Sequence, residues 1–543
     1  MAWSTHQKGL LWAVAVLLLA VMPGSATATG ALSAKARRQI ATLQDAKRAR
    51  DATEREVAGR LLTTVRLRRH GAPARALPKL TTGIEVSRAG RVMVDLDATV
   101  TPELLGRLRA AGATVHHASA RAGAVRARLP LRALERVAAW RGVRRIEPAA
   151  VAVTGHLTPA GAGRTLQAGE PAPKLRSALD TAQGGVVSEG DRVHGADLAR
   201  DTHRVSGIGT KVCALSDGID LAEASQSTGE LPPVEVLPGQ EGVGSEGTAL
   251  LEIVHDLAPK ADLGFATATD SFESYAQNIR DLRFELGCDV IFDDILYVAE
   301  APFQDDAIAR AVNSVTDDGA LYLSPAGNEG NAIDRTSGNW EGDFRDSGRA
   351  LLKLAGRAHD FDPGPGVQLV NPLSASSRGI TVTLWWADPL GHADDDYDLY
   401  ALDAQDNVVA FSDDVQDGDD DPFEALITPE PNLRLAIVRF RGADRYLQVS
   451  ALNGRFADKP GLTGFQTPGI IRGHSAAEDA MAIAAAPAFM PLPFDLEPGD
   501  PPNPAGPFPD PFTARQQPER YTSDGSGMNA GAAAIATASS AAE

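Results

Sequence analysis

Apolar and polar positions change their spacing several times along the chain, and each spacing predicts a different kind of element. Between residues 196 and 344, short apolar runs such as VCALSD and DVIFDDI alternate with segments such as GTALLEIVHDLAP. The short runs are typical of buried strands, and apolar residues at every third or fourth position are typical of amphipathic helices. This alternation predicts an α/β fold built on a doubly wound parallel sheet.

The pattern changes on both sides of this region. Residues 345–455 contain short alternating strands separated by polar turns, which predicts an antiparallel β-sandwich. The α/β pattern resumes in residues 456–543, so we interpret the sandwich as an insertion. Residues 83–150 give the order strand, helix, strand, strand, helix, strand, which predicts a small two-layer α/β unit. A Gly-, Pro- and Ala-rich linker follows at 151–195.

The first residues have a different character. In residues 1–29, Lys8 precedes an apolar stretch from Leu10 to Met22, and small residues follow. This stretch is too short to span a bilayer, and the pattern predicts a cleaved secretory signal. We therefore expect a secreted or periplasmic protein with no membrane segment in its mature form. Residues 30–82 are helical and strongly charged, and we expect a solvated helix or pair of helices there.

The net charge of −19 is unevenly distributed. Residues 1–150 carry 26 Lys and Arg against 10 Asp and Glu, whereas the remaining residues carry 26 against 61. This division predicts a basic N-terminal part that is attracted to an acidic body. Nucleic-acid binding is disfavoured, because the arginines are scattered through a patterned domain without aromatic partners.

Two cysteines do not make a disulfide framework in an exported protein. Cys213 and Cys288 both lie in apolar, strand-like runs. This position favours buried free thiols over a disulfide between neighbouring strands.

Candidate catalytic residues lie where apolar strands end and where an amphipathic helix begins. Asp217 closes an apolar strand, Glu246 opens the next amphipathic helix, and Asn328 lies in the glycine-rich turn AGNEG. Functional groups of open α/β sheets collect where strands end. Two acids and an amide at such positions predict a hydrolytic site. The alternative is that Glu246 only compensates the helix dipole and that Asn328 is a turn residue.

The order of these motifs resembles the subtilisin-like and sedolisin-like serine peptidases. VCALSDGID resembles their strand with the catalytic Asp, which points to Asp217. EGTALLEIVHDLAP resembles the helix that begins with the catalytic His in subtilisins and with Glu in sedolisins, which points to Glu246. SPAGNEG resembles the loop whose Asn donates to the oxyanion, which points to Asn328. DVIFDDI resembles a wall of the substrate cleft and places Asp294 near the residue that precedes the cut.

The resemblance implies a subtilisin-like catalytic domain preceded by an inhibitory propeptide at 83–150. It also implies that Glu246 is the base, that Asp217 is the acid sharing its proton, and that mildly acidic pH favours activity. The nucleophile of the family lies in G-T-S-x-A-x-P, a motif that this sequence lacks. Ser526, in YTSDGSGMN, is the remaining candidate, and we expect that the chain stops before the true serine.

The sequence therefore predicts two candidate functions. The first is a secreted serine-type endopeptidase that hydrolyses peptide bonds with a Glu/Asp-assisted serine, and whose partners are a polypeptide substrate and its own propeptide. Asp293 and Asp294 would then favour basic residues before the cut. The second is a catalytically inactive scaffold whose sandwich binds protein or glycan.

A metal-dependent hydrolase is disfavoured, because no His-rich ligand set accompanies the acids. We assign no metal site and no cofactor. The acidic runs ADDDYDLY and SDDVQDGDDDPFE offer oxygens that can hold Ca²⁺. Their spacing is not that of an EF-hand loop, and we expect solvated loops.

Overall fold

The structure is a computed structural model, and it describes most of the chain. The described residues are 30–69, 76–154, 186–350, 356–375, 377–492, 494–495, 497, 500, 502–503 and 505–525. The expected signal (1–29), much of the linker and Ser526 lie outside the described residues. No helix in the described part of the chain is long and apolar enough to cross a membrane.

The N-terminal unit (residues 30–154) begins with helices and continues with a four-stranded antiparallel sheet. Its strands are in the order β2-β3-β1-β4, and strand and helix alternate along the chain in the predicted order. The elements are α1 (Ala34–Arg48), α2 (Ala52–Arg55), α3 (Gly59–Arg68), β1 (Arg91–Ala98), α4 (Pro102–Ala110), β2 (Thr114–Ser119), β3 (Ala124–Pro130), a short 3-10 helix (Leu131–Ala133), α5 (Leu134–Ala138), β4 (Val143–Pro148) and β5 (Ala152–Thr154).

The start of α4 shows how local sequence sets an element boundary. The hydroxyl of Thr101 accepts a hydrogen bond from the backbone N–H of Leu104 (3.2 Å), and Pro102 occupies the first turn. Both features favour a helix N-terminus. Leu104 and Leu108, four residues apart, then bury one face of the helix against the sheet.

Helix α1 is not solvated, and the sequence prediction for it is wrong. Ala36, Ile40, Leu43 and Lys47 are all buried, and their spacing places them on one face. The apolar members of this face pack on an antiparallel sheet more than 300 residues later in the chain. The narrow apolar stripe of a charged helix was visible in the sequence, but its distant partner was not.

The next unit alternates helices and strands. Its first part contains α6 (Glu189–Val193), α7 (Ala196–His203), β6 (Lys211–Ser216), α8 (Ala222–Thr228), β7 (Val234–Val236), α9 (Glu246–Leu257), β8 (Asp262–Thr267), α10 (Phe272–Phe284), β9 (Val290–Asp293), β10 (Ile295–Tyr297), α11 (Ala307–Thr316) and β11 (Leu321–Pro325).

Two antiparallel sheets then follow, and we call residues 339–451 the two-sheet unit. One sheet has the order β12-β21-β16-β19, and the other β13-β14-β20-β17-β18 with β15 also paired to β20. Apolar side chains of both sheets share one buried cluster. The strands are β12 (Asn339–Asp343), β13 (Asp346–Ala350), β14 (Arg357–His359), β15 (Asn371–Pro372), β16 (Thr381–Trp386), β17 (Asp396–Leu402), β18 (Val408–Ser412), β19 (Phe423–Ile427), β20 (Arg434–Arg441) and β21 (Tyr446–Ala451).

The α/β unit is completed by a 3-10 helix (Gly473–Ala476) and by β22 (Ala480–Ile483). Its six strands are in the order β22-β11-β9-β6-β8-β7, and neighbouring strands run parallel. Alternate residues of β6 face opposite sides: Leu215 packs in the cluster with α10 and α11, and Ala214 in the cluster with α9. The predicted mixed α/β architecture, with a parallel sheet and antiparallel sheets, is confirmed.

Cys213 and Cys288 form a disulfide, with their Cα atoms 6.0 Å apart. The prediction of free thiols is wrong. Cys288 lies two residues before β9, the neighbour of β6, and both side chains pack in the same buried cluster. Strand adjacency, which a single sequence does not give, decides the pairing.

Candidate active site

The candidate residues lie at the end of the parallel sheet where its strands terminate. Asp217 directly follows β6, Asp294 directly follows β9, and Asn328 lies three residues beyond β11. These three strands are neighbours, so their carboxyl ends face the same side. Glu246 is the first residue of α9.

Asp217 is held by backbone donors. Its Oδ1 accepts hydrogen bonds from the N–H groups of Gly218 (2.6 Å) and Glu246 (3.1 Å). Its carbonyl oxygen accepts from the Thr267 hydroxyl at 2.9 Å. The carboxylate therefore ties the end of β6 to the start of α9 and is fixed in orientation.

The loop before α9 needs glycine to close on this carboxylate. Gly244 has a φ of 133°, and a Cβ at this position would overlap Oδ2 of Asp217. Only glycine adopts this conformation and leaves the space free. The sequence GSEG thus brings the backbone of Glu246 within reach of Asp217.

Glu246 is a half-buried carboxyl group among other acids. Burial, then the charge of Asp294 and then that of Asp217, raise the pKa of Glu246 to about 9. Asp294 also shares a hydrogen bond with Glu246 that favours the protonated form, whereas a hydrogen bond with Thr154 favours the charged form. The helix N-terminus opposes protonation, but burial and the two carboxylates outweigh it. Glu246 therefore holds a proton at neutral pH.

We call Glu246, Asp294 and Asp217 the carboxylate cluster. The sequence named all three residues but placed Asp294 at the wall of the cleft and made Asp217 the acid that shares the proton. In the structure Asp294 acts on Glu246 more strongly than Asp217 does and is the acid that hydrogen-bonds its side chain. The adjacency of β6 and β9 brings Asp294 to Glu246, and only the sheet order reveals it.

Asp293 precedes Asp294 and faces the opposite side of the sheet, because successive side chains along a strand alternate. Its side chain is buried, and its Oδ1 contacts Nε2 of His474 (3.1 Å) and the Ser324 hydroxyl (3.0 Å). The other ring nitrogen of His474 contacts Glu300 at 2.6 Å. The prediction that Asp293 selects basic residues in the cleft is wrong, because its carboxyl group faces this buried network.

His474 bridges two buried acids. Burial alone would lower the pKa of His474, but Glu300 and Asp293 outweigh it and hold the pKa well above its usual value. The imidazole is fully buried, so it has no access to a substrate. This position suits a structural role, in which the ring links the two acids.

The last described residues run beside the Asn328 loop. Ser523 donates its backbone N–H to Gly327 (2.9 Å) and its hydroxyl to Glu329 (3.0 Å). Burial, then Glu519 and then Asp294, raise the pKa of Tyr521 to about 12. The candidate nucleophile Ser526 is three residues beyond Ser523 in the sequence and lies outside the described residues.

An extended segment of the chain lies along the site. Strand β5 pairs antiparallel with β10, with Thr154 opposite Ile295 and Ala152 opposite Tyr297. Arg126 fixes the preceding residues by donating to the carbonyl groups of Asp270 (2.9 Å) and Ala150 (2.8 Å). Strand addition of this kind is a common way to hold a peptide. The pairing of β5 with β10 places Thr154 where it shares a hydrogen bond with Glu246.

Only part of the two acidic runs is solvated as predicted: Asp394, Asp417, Asp419 and Asp421 are exposed, whereas other acids of these runs are buried. Asp396, Asp398 and Asp413 are at most 1% exposed, and lysine and arginine side chains of the N-terminal unit contact them. Two groups of three acids have oxygens within 4.8 Å of one another: Asp388, Asp394 and Asp395, and Asp417, Asp419 and Asp420. Arginines already contact Asp388, Asp395 and Asp420, and Ca²⁺ binding stays a prediction.

Neither a family model nor a curated protein matches the chain. Among solved structures it is similar to the CspB protease of Clostridium perfringens, at 10% identity and a TM-score of 0.32, over 55% of this chain and 73% of that one. The epidermin leader peptide processing protease EpiP of Staphylococcus aureus matches at 11% identity and a TM-score of 0.28, over 45% and 62%. Fervidolysin of Fervidobacterium pennivorans, a keratinolytic enzyme related to subtilisin, matches at 14% and 0.26, over 45% and 41%. These structural neighbours are subtilisin-like serine proteases.

Proposed function

We propose that the protein is an exported serine-type endopeptidase in which Glu246 is the general base. One observation supports this most. The carboxyl group of Glu246 has a pKa of about 9 and lies with Asp294 and Asp217 at the C-terminal ends of the strands of a parallel sheet. A strongly shifted pKa in such a position is typical of catalytic groups. Structural neighbours that are proteases are consistent with the proposal.

In this proposal Glu246 and Asp294 act as a pair that holds one proton. As Glu246 takes the proton of a serine hydroxyl, its own proton moves to Asp294, so no isolated charge forms in a half-buried site. The serine oxygen bonds to the substrate carbonyl carbon, and the proton then passes to the leaving amine as the peptide C–N bond breaks. Asn328 would donate to the oxyanion, and Ser526 is the candidate nucleophile.

The pKa of Glu246 changes the expected pH range. The sequence suggests mildly acidic activity, because the pair must keep one proton. With a pKa of about 9 for Glu246, the one-proton state persists through neutral pH. We therefore expect activity at neutral pH that falls above pH about 9.

We also propose that residues 30–154 are an inhibitory propeptide. Strand β5 lies along β10 and reaches Glu246, the position that substrate residues before the cut would take. A peptide held there by strand pairing would block the site until the chain is cut beyond Thr154 and β5 departs.

Self-cleavage tests the proposal. The purified full chain is incubated at neutral pH, and products cut between Thr154 and Val186 are identified by mass spectrometry. With Ser526 as the nucleophile, the parent gives these products, and so does Glu241→Gln, a control whose exposed side chain lies in the loop before α9. We expect none from Glu246→Gln, which keeps the shape but removes the base. Cutting that persists in Glu246→Gln contradicts the proposal.

A second candidate function is that of an inactive scaffold that binds protein or glycan. The lack of a G-T-S-x-A-x-P motif in the sequence favours it. The same experiment separates the two, because the scaffold predicts no cut product from the parent at any pH. A product that Ser526→Ala abolishes assigns the nucleophile and excludes the scaffold.

A further inference from the structure

The N-terminal unit contacts the two-sheet unit at both ends of residues 30–81 and along α1. Backbone hydrogen bonds join Gly30 to Leu369 (2.7 Å) and Thr81 to Val409 (2.8 Å). Between these points α1 lies across the sheet that contains β17, β18 and β20. The contact therefore has backbone, apolar and charged parts.

The apolar part makes α1 a component of the core of that sheet. Ile40 and Leu43 are at most 2% exposed and share a buried cluster with Tyr400, Phe411 and Val438. Burying one such aliphatic side chain stabilises a contact by about 1.5–3 kcal/mol. Loss of the N-terminal unit would expose this sheet face to water.

The charged part lies at the end of α1. The Lys47 ammonium group contacts the carboxylates of Asp396 and Asp398, the latter at 2.7 Å, and all three side chains are at most 1% exposed. It also lies 4.8 Å from the centre of the Phe440 ring. The two carboxylates outweigh the loss of hydration and keep the Lys47 pKa above its usual value.

Two arginines extend this arrangement. Arg50 contacts Asp413 at 2.6 Å, with both side chains at most 2% exposed. Arg145, from β4, contacts Asp414 (3.2 Å) and Asp420 (3.0 Å). We call these contacts, with those of Lys47, the ion-pair cluster. Every cation in it comes from the N-terminal unit and every anion from the two-sheet unit.

From this complementarity we infer that the two-sheet unit is a binding site for a basic polypeptide segment, occupied by the chain's own N-terminal unit, and that it retains this unit after the connecting chain is cut. Separation would leave buried carboxylates without cations, which is costly. Buried ion pairs are also screened far less by salt than exposed ones. The inference does not depend on the proposed peptidase activity.

The test uses the full chain with a recognition sequence for a specific protease inserted between residues 155 and 185. After complete cutting, the two pieces are analysed by size-exclusion chromatography in a dilution series at 0.1 M and 1 M NaCl. We expect one peak at both salt concentrations, with a change in dissociation constant of less than about threefold. Separation at 0.1 M, or dissociation driven by 1 M salt, would overturn the inference.

Charge variants of the cut chain locate the contact that retains the unit. Lys47→Met should weaken the complex by about 10²-fold or more, because two buried carboxylates lose their cation. Adding Asp396→Asn and Asp398→Asn should recover at least about tenfold of that loss. The control is Arg55→Ala, at the exposed pair with Asp417, which should change the constant by less than about fivefold.

The strand in the candidate active site is the competing explanation for retention. Val153→Pro removes a backbone N–H from β5 and should leave the pieces together. If Val153→Pro separates them and Lys47→Met does not, the unit is held at β5 and the inference is wrong. Should Lys47→Met fail to fold, as circular dichroism would reveal, the salt series on the unaltered sequence still decides.

Discussion

Two clusters of half-buried or buried carboxyl groups in this molecule are neutralised in different ways. In the carboxylate cluster, Glu246 lies beside Asp294 and Asp217, and the repulsion is relieved by a proton on Glu246. In the ion-pair cluster, acids such as Asp398 are neutralised by fixed cations from a distant part of the chain. A proton can be exchanged during a reaction, whereas a buried lysine or arginine cannot. The first arrangement therefore suits acid–base chemistry, and the second suits a permanent contact.

Breaking one pair of the ion-pair cluster should have the largest effect on stability. In Arg50→Met, Asp413 stays buried but loses its guanidinium partner. We expect the free energy of unfolding of the uncut chain to fall by about 3–5 kcal/mol, measured by urea denaturation at neutral pH. The double variant with Asp413→Asn should recover most of this loss. A single variant as stable as the parent would show that the pair contributes nothing.

Removing the titrating group of the carboxylate cluster should raise the free energy of unfolding, whereas Arg50→Met lowers it. The pKa of Glu246 is about 9 in the folded protein and near 4.5 when exposed, so the folded state binds an extra proton between these values. Stability therefore falls as pH rises from about 4.5 to 9. Glu246→Gln should remove this loss and be more stable than the parent by about 2–4 kcal/mol at pH 9, after allowance for solvent screening.

Parallel urea denaturation at pH 4 and pH 9 provides the measurement for Glu246→Gln. The exposed control Glu241→Gln should show no gain that grows with pH. A gain for Glu246→Gln that is equal at both pH values would assign it to packing and not to the proton.

Asp294 should control the proton more strongly than Asp217. Asp294→Asn removes the larger of the two electrostatic contributions and should lower the pKa of Glu246 by about one unit or more. Asp217→Asn should lower it less, because Asp217 is the smaller electrostatic contributor. Carboxyl ¹³C NMR titration of Glu246 in both variants measures this order, and the reverse order would return the role of partner acid to Asp217.

The smallest effect is expected at an exposed ion pair between the same two units, outside the ion-pair cluster. Arg55 contacts Asp417 at 3.2 Å, but the two side chains are 48% and 31% exposed. Arg55→Ala should change the free energy of unfolding by less than about 1 kcal/mol, and less still in 1 M NaCl. A loss as large as that of Arg50→Met would mean that burial does not distinguish the two pairs.

Much of the α/β part followed from the sequence, since its elements are set by local patterns. The run KVCALS forms β6, and the segment with apolar spacing after Glu246 forms α9. The positions of Asp217 and Glu246 at element ends could be located in the same way. Their chemistry could not, because the pKa of Glu246 depends on Asp294 at the end of another strand.

The sequence by itself determined which segments alternate, where strands end in acids, and that a basic N-terminal part precedes an acidic body. The tertiary structure decided which acids raise the pKa of Glu246, that Cys213 is bonded to Cys288, and that one face of α1 is buried and not solvated. The physical reason is range: periodicity and capping act over a few residues. Burial and charge pairing depend on partners such as Lys47 and Asp398, which are 351 residues apart in the chain.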